Sequence, residues 1–141
     1  MSGTRLDHIA IAVPNLKDAL RFYQEELGLE CISVEEVVEQ GVRVAKLDLG
    51  NTHIELLEPL SADSPVGKFL QNRGPGLHHI CVGVDDILKR LDTLKVQGAK
   101  LIDEQPKLGA GGARIAFVHP KSTGGVLLEL SQPAGNKPSD H

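Results

Sequence analysis

The sequence predicts an α+β fold, with two tandem βαβββ modules forming one metal-binding cleft. Three observations predict it. The chain repeats itself once, each repeat reads as a strand, a helix and three strands, and both repeats carry a histidine and a glutamate at matching places. The repeat is clearest where Leu6-Asp7-His8-Ile9-Ala10-Ile11-Ala12-Val13 aligns with Leu77-His78-His79-Ile80-Cys81-Val82-Gly83-Val84, placing His79 71 residues after His8. The same offset aligns Val42-Arg43-Val44-Ala45 with Ala113-Arg114-Ile115-Ala116. Farther on, Glu55-Leu56-Leu57-Glu58-Pro59 aligns with Glu129-Leu130-Ser131-Gln132-Pro133, three residues later than that offset, and the extra residues fall in the loop from His119 to Gly125. A period this long marks a duplicated supersecondary unit.

Each element has its own signal. His8 to Val13 is a short, largely apolar run, as expected of a buried strand. Pro14 and Asn15 end it, and Asn15 is suited to cap a helix. Leu16, Ala19, Leu20, Tyr23 and Leu27 then fall on one helical face, and Gly28 stops the helix. Glu30 to Val34 reads as a strand. Val42 to Leu49 is another, with Val42, Val44 and Lys46 on one face and Arg43, Ala45 and Leu47 on the other. Gly50-Asn51 is a turn, and His53 to Glu58 is the fourth strand. In the second half Ile87, Leu88, Leu91 and Leu94 give the helix its apolar face. Gly98 ends it, and strands follow near Lys100, Arg114 and Val126. Between the halves, Ser64 before Pro65 is the start of a short helix ending near Gly74. Residues 1–133 thus read as one domain: module one at about 6–59, a linker helix at about 64–73 and module two at about 77–133. The polar tail, 134–141, reads as disordered.

Bulk properties exclude several classes of function. A chain of 141 residues fits one domain able to bury a core without staples. Aromatic residues are 3% of the chain and Trp is absent, which argues against stacking on nucleic-acid bases. The net charge is −4 with no basic cluster, so neither nucleic acid nor an anionic membrane is an expected partner. No run approaches the ~20 apolar residues of a membrane span. Met1 to Arg5 has no targeting pattern. Cys31 and Cys81 have neither metal nor redox spacing. A reducing, intracellular home is expected, cytoplasmic in a bacterium and the mitochondrial matrix in a eukaryote.

The chemistry-bearing residues are His8 and His79 on the first strand of each half, and Glu55 and Glu129 on the last. Modules related by duplication pack about an approximate two-fold axis, so equivalent side chains aimed at that axis converge. Two imidazoles and two carboxylates suit one divalent first-row metal ion. Four such ligands in an octahedral site leave two positions, which, if adjacent, chelate a substrate through two oxygens. Singly, each residue has a plainer reading. A histidine opening a strand is usually structural, and Glu55, alternating with Ile54 and Leu56, would be a solvated outward residue. The coincidence of both residue types in both halves favours the metal, since buried carboxylates without partners are costly. His53, His78 and His119 are weaker candidates. Gly109-Ala110-Gly111-Gly112 offers backbone N–H groups to an anion, although a turn between strands explains it equally. Lys121 is a candidate contact for a substrate carboxylate or phosphate, against the plain reading of a surface lysine.

Long, ordered strings carry a family resemblance. They are Asp7-His8-Ile9-Ala10-Ile11-Ala12-Val13 and Glu39-Gln40-Gly41-Val42 in the first half. In the second they are Gly76-Leu77-His78-His79-Ile80, then 103–112, Phe117-Val118-His119-Pro120-Lys121-Ser122, and 124–130. Over residues 6 to 132 the chain resembles the vicinal oxygen chelate (glyoxalase/bleomycin resistance/dioxygenase) superfamily, and within it the methylmalonyl-CoA epimerases. The resemblance implies a metal cleft in which His8, His79 and Glu129 match family ligands, while Glu55 matches a position where some members have Gln. It implies one divalent ion per chain, cobalt first, with manganese, nickel, zinc and magnesium as alternatives. It also implies an acyl-CoA substrate, a homodimer, and interconversion of (R)- and (S)-methylmalonyl-CoA by proton transfer through a metal-stabilised enolate. Glu129 is then both ligand and catalytic acid/base, and Gln40 and Lys121 are candidate substrate contacts. Val44 stands where some relatives carry a second glutamate, which leaves the acid/base for the other face of the enolate open among Glu55, a water and a loop residue. Two other readings compete: a glyoxalase-type isomerase, and a non-catalytic small-molecule binding module of the same superfamily.

Overall fold

The computed structural model describes residues 3–135; the tail expectation from residue 136 onward lies outside them. The described residues divide into two compact units, one of His8–His78 and one of 79–135 together with 3–7.

In the unit of His8–His78 the strands are ordered β2 (Cys31–Val37), β3 (Val42–Asp48), β4 (His53–Pro59) and β1 (Arg5–Ala12). β1 runs parallel to β4, with His8 opposite His53 and Ala10 opposite Glu55. The other two pairings are antiparallel. Alternation then sorts the side chains by face. Val13, Leu16, Ala45, Leu47 and Leu56 form the core against the helix, with Ile11, Ile54 and Tyr23 packed around it. His8, His53, Glu55, Val44 and Lys46 belong to the opposite face. Val42 and Val44 are buried as well, so both faces of β3 are covered.

The first helix departs from its expected form. Asn15 caps it as predicted, accepting from the Asp18 N–H, but α1 spans only Leu16–Leu20 before a π-helical stretch, Arg21–Glu26. The Leu27 N–H bonds to Phe22 O at 2.7 Å, a five-residue closure. A π turn uses more residues than an α turn, so positions after it slip out of phase. Leu27, expected on the buried face, is therefore 53% exposed. Gly28, at φ +84°, ends the element. The linker helix α2 (Pro65–Arg73) forms as the sequence predicts, with the Ser64 side chain accepting from the Gly67 N–H.

In the other unit the order is β5 (Gly76–Gly83), β8 (Leu128–Gln132), β7 (Arg114–Val118) and β6 (Lys107–Leu108). β5 runs parallel to β8, with Cys81 opposite Glu129. Helix α3 (Ile87–Val96) buries Ile87 and Leu91 against Val84, Ala116, Val118 and Leu130. The strand expected near Lys100 is only an isolated bridge, Leu101 to Val118. Backbone bonds flank the bridge, from the His119 N–H to Lys100 O and from the Ile102 N–H to Phe117 O, and side chains add to them: Ser122 Oγ accepts the Lys100 N–H and Asp103 Oδ2 accepts the Phe117 N–H. The strand expected near Val126 starts at Leu128, because Gly124 and Gly125 hold φ +82° and +99°, outside the β region.

The repeat extends to a contact that local patterns do not reveal. Glu58 Oε2 accepts the N–H of Leu16, the first residue of α1, at 2.9 Å. Gln132 Oε1 accepts the N–H of Ile87, the first residue of α3, at 3.0 Å. In each module the last strand thus satisfies an orphan donor of its own helix. Glu58 also takes Arg43, which in turn reaches Glu36.

Candidate metal centre

His8 is the fourth residue of β1 and His79 the fourth of β5, so both lie inside strands and not at their starts. The strands simply begin earlier than their apolar runs. Glu55 and Glu129 lie on β4 and β8. All four are buried: His8 and His79 are 5% exposed, Glu55 and Glu129 6%. The outward, solvated reading of the two glutamates is thereby overturned, because the face opposite the helix is covered too.

Each unit brings one histidine to one glutamate. His8 Nε2 lies 3.3 Å from Glu55 Oε1, and His79 Nε2 lies 2.9 Å from Glu129 Oε1. The cause is register. In each module the glutamate stands opposite the residue two beyond the histidine (Ala10 or Cys81) on a parallel neighbour, so both side chains share one face. Metal–ligand bonds of about 2.1 Å at right angles put adjacent donor atoms about 3 Å apart. Both pairs have that spacing, and imidazole and carboxylate are the donors such an ion takes. The same spacing suits a direct imidazole–carboxylate hydrogen bond, but two buried pairs of ionisable groups are costly for that purpose alone.

The surroundings of the two pairs differ. Beside Glu55, His53 Nε2 approaches Oε2 at 3.0 Å, and the His8 and His53 rings are 5.1 Å apart. Ligand atoms of His8, His53 and Glu55 all lie within 4.8 Å of one another. Lys46 is the β3 partner of Glu55. In the second module the partner of Glu129 is Phe117, whose ring meets His79 edge-on at 5.3 Å. Lys107 stands over that ring at 5.3 Å. Glu129 thus sits beside an aromatic ring, and Glu55 among polar groups.

The remaining candidates lie elsewhere. His78 packs on Phe69, with ring centroids 4.9 Å apart. His119 caps the short turn Pro120–Ser122 by accepting the Lys121 N–H. Lys121 is exposed in that turn, and Gln40 is half-buried before Gly41. Gly109 to Gly112 forms a tight turn with Gly111 and Gly112 at positive φ. Val44 is 4% exposed and has no titratable atom; its neighbour across β2 is Glu35. His53 is the residue that sequence reasoning undervalued. Its signal was the spacing His53-Ile54-Glu55, two residues that must share a strand face.

Known proteins resemble this chain over most of its length. Residues 7–117 match the model of the Glyoxalase/Bleomycin resistance protein/Dioxygenase superfamily. The uncharacterised protein YqjC of Bacillus subtilis (strain 168) is 47% identical over 97% of this chain and 98% of its own length. The mitochondrial methylmalonyl-CoA epimerase of Homo sapiens is 46% identical over 91% of this chain and 73% of its own. The structure of a variant of Streptomyces coelicolor methylmalonyl-CoA epimerase, in complex with 2-nitronate-propionyl-CoA, superposes with a TM-score of 0.88 at 39% identity, covering 94% of this chain and 96% of that one. The chain belongs to the glyoxalase/bleomycin resistance protein/dioxygenase superfamily and, within it, to the methylmalonyl-CoA epimerases, which makes it an isomerase.

Proposed function

We propose that the protein interconverts (R)- and (S)-methylmalonyl-CoA and that His8, Glu55, His79 and Glu129 together hold one divalent metal ion. The observation that carries this reading is the duplicated, buried histidine–glutamate pair at ligand spacing, in a chain about 45% identical to named epimerases. The bound ion supplies a Lewis acid that draws charge from a substrate carboxylate and thioester oxygen. The α-proton of the substrate is flanked by those two groups, and its removal leaves a planar enolate. Glu129 is the base on one face: its side chain is 8% exposed, so little water competes for it, and Phe117 is its partner on β7. Val44 carries no proton, so the acid on the other face comes from Glu55, a water or a loop residue. Lys121 and Gln40 are the proposed substrate contacts, Lys121 for a carboxylate or phosphate, and Lys121 is exposed as that role requires.

Cobalt is the first expected ion, with manganese, nickel, zinc and magnesium as alternatives, because a mixed nitrogen and oxygen ligand set discriminates weakly. The protein is assigned as a homodimer that leaves the four ligands open to substrate, and sedimentation at micromolar concentration tests this. Among the described residues no helix is long and apolar enough to cross a membrane.

The deciding experiment incubates the metal-loaded protein with methylmalonyl-CoA in heavy water. The α-proton signal should disappear while the two epimers equilibrate. A glyoxalase-type isomerase or a passive binding module would leave that proton in place. Retention of the α-proton alongside turnover of a hemithioacetal would replace the epimerase reading.

A further inference from the structure

Glu55 poses a coordination problem that a glutamine at the same place would not. An amide binds a metal through one oxygen, whereas a carboxylate binds through one or both. In an octahedral site, four single donors leave two positions. A two-oxygen grip by Glu55 leaves one, and a substrate chelating through two oxygens then has no room.

The structure has a device for this on β4 itself. His53 precedes Glu55 by two residues, so the two side chains share a face, and His53 stands opposite His8 in the parallel pairing. The two carboxylate oxygens of Glu55 go to different imidazoles. Oε1 lies 3.3 Å from His8 Nε2, and Oε2 lies 3.0 Å from His53 Nε2. The Glu55 side chain is 8% exposed and that of His53 16%, so bulk water competes little for this contact. The feature is not inherited from the duplication. The repeat places Leu127, an apolar residue, at the position of His53 in the second module.

We infer that His53 is a positioning residue: it donates its Nε2–H to Glu55 Oε2, restricts Glu55 to one-oxygen coordination through Oε1, and so keeps a second coordination position free for substrate. This inference rests on the metal reading proposed above and adds a role for a residue outside the four ligands. It gives His53 the tautomer with hydrogen on Nε2. It also makes the contribution of His53 conditional on residue 55 being a carboxylate.

The test uses apo protein loaded with Co2+, with malonate as a non-reactive two-oxygen probe, followed by visible absorption. The parent should bind one Co2+ per chain, and malonate should shift its spectrum. His53→Ala should weaken malonate binding about 10- to 100-fold, the usual size of an outer-sphere effect. His53→Gln, whose amide still donates to Oε2, should recover binding to within about threefold. In a Glu55→Gln background, His53→Ala should change malonate binding by less than about twofold, because the coupling has been removed. An equal loss in both backgrounds, no loss in either, or failure of His53→Gln to rescue overturns the inference. Failure of the metal reading has a different signature: Co2+ binding that is absent in the parent, or unaffected by His8→Ala, removes the ion and this inference with it.

Discussion

At the scale of residues, the two glutamates are chemically alike and differently placed. Glu129 sits against Phe117, and Glu55 sits beside His53 and Lys46. This asymmetry predicts different outcomes for the same substitution. Glu129→Gln keeps an oxygen donor of similar size, so metal should stay bound, while the basic carboxylate is lost. Acid–base groups contribute about 10²- to 10⁴-fold, and epimerisation and α-proton exchange should fall by at least that range. Glu55→Gln should be milder, since a ligand needs only its oxygen. Rates with metal content measured in parallel decide this. Near-parent turnover of metal-loaded Glu129→Gln would reduce Glu129 to a ligand, and collapse of metal-loaded Glu55→Gln would move the proton-transfer role to Glu55. These residues were legible because duplication acted as an internal alignment: one His and one Glu carry little information, and the same pair twice carries much. His53 occurs once, so that signal was missing; its spacing to Glu55 was in the sequence, and the β1–β4 register brought it to His8.

At the scale of elements, strands were easier to read than the first helix, and the reason is physical. A strand's period of two survives small errors in its ends, so the opposite faces of Ile54 and Glu55 followed whether β4 ended at Glu58 or Pro59. A helical wheel assumes constant winding, and the π stretch of Arg21–Glu26 breaks that assumption at Leu27. Contacts between distant residues were also hidden, because no local pattern ties Gln132 to Ile87. Yet that contact holds the start of α3. The Ile87 N–H is buried and lies at the helix start, where no intrahelical acceptor exists. Gln132→Ala should leave it unsatisfied and cost about 1–3 kcal/mol. Gln132→Glu preserves an acceptor oxygen, as Glu58 does for α1, and should cost less. Urea unfolding midpoints at constant m-value measure both. If the two variants are equally destabilised, the side-chain oxygen is not what Ile87 needs.

At the scale of the whole molecule, the proposed ion would be bound by residues from both halves of the repeat, and this has a thermodynamic consequence. A ligand that binds only the folded chain stabilises it by mass action, by about 2.7 kcal/mol when free ligand is 100 times Kd. For a chain of 141 residues, interpolation between the size classes for Tm shifts gives a rise of very roughly 8 °C. The four proposed ligands are far apart in sequence, from His8 to Glu129, so unfolded chain should compete poorly for the ion. Titrating Co2+ or Mn2+ into apo protein should therefore raise Tm steadily with the logarithm of free ion. His8→Ala, in the first half, and His79→Ala, in the second, should each abolish most of the rise. That pairing separates one shared ion from two independent half-sites. If each half bound its own ion, either substitution would remove about half of the stoichiometry and leave a residual shift from the other. Loss of nearly the whole shift and the whole stoichiometry in both single variants is the outcome that one jointly held ion requires.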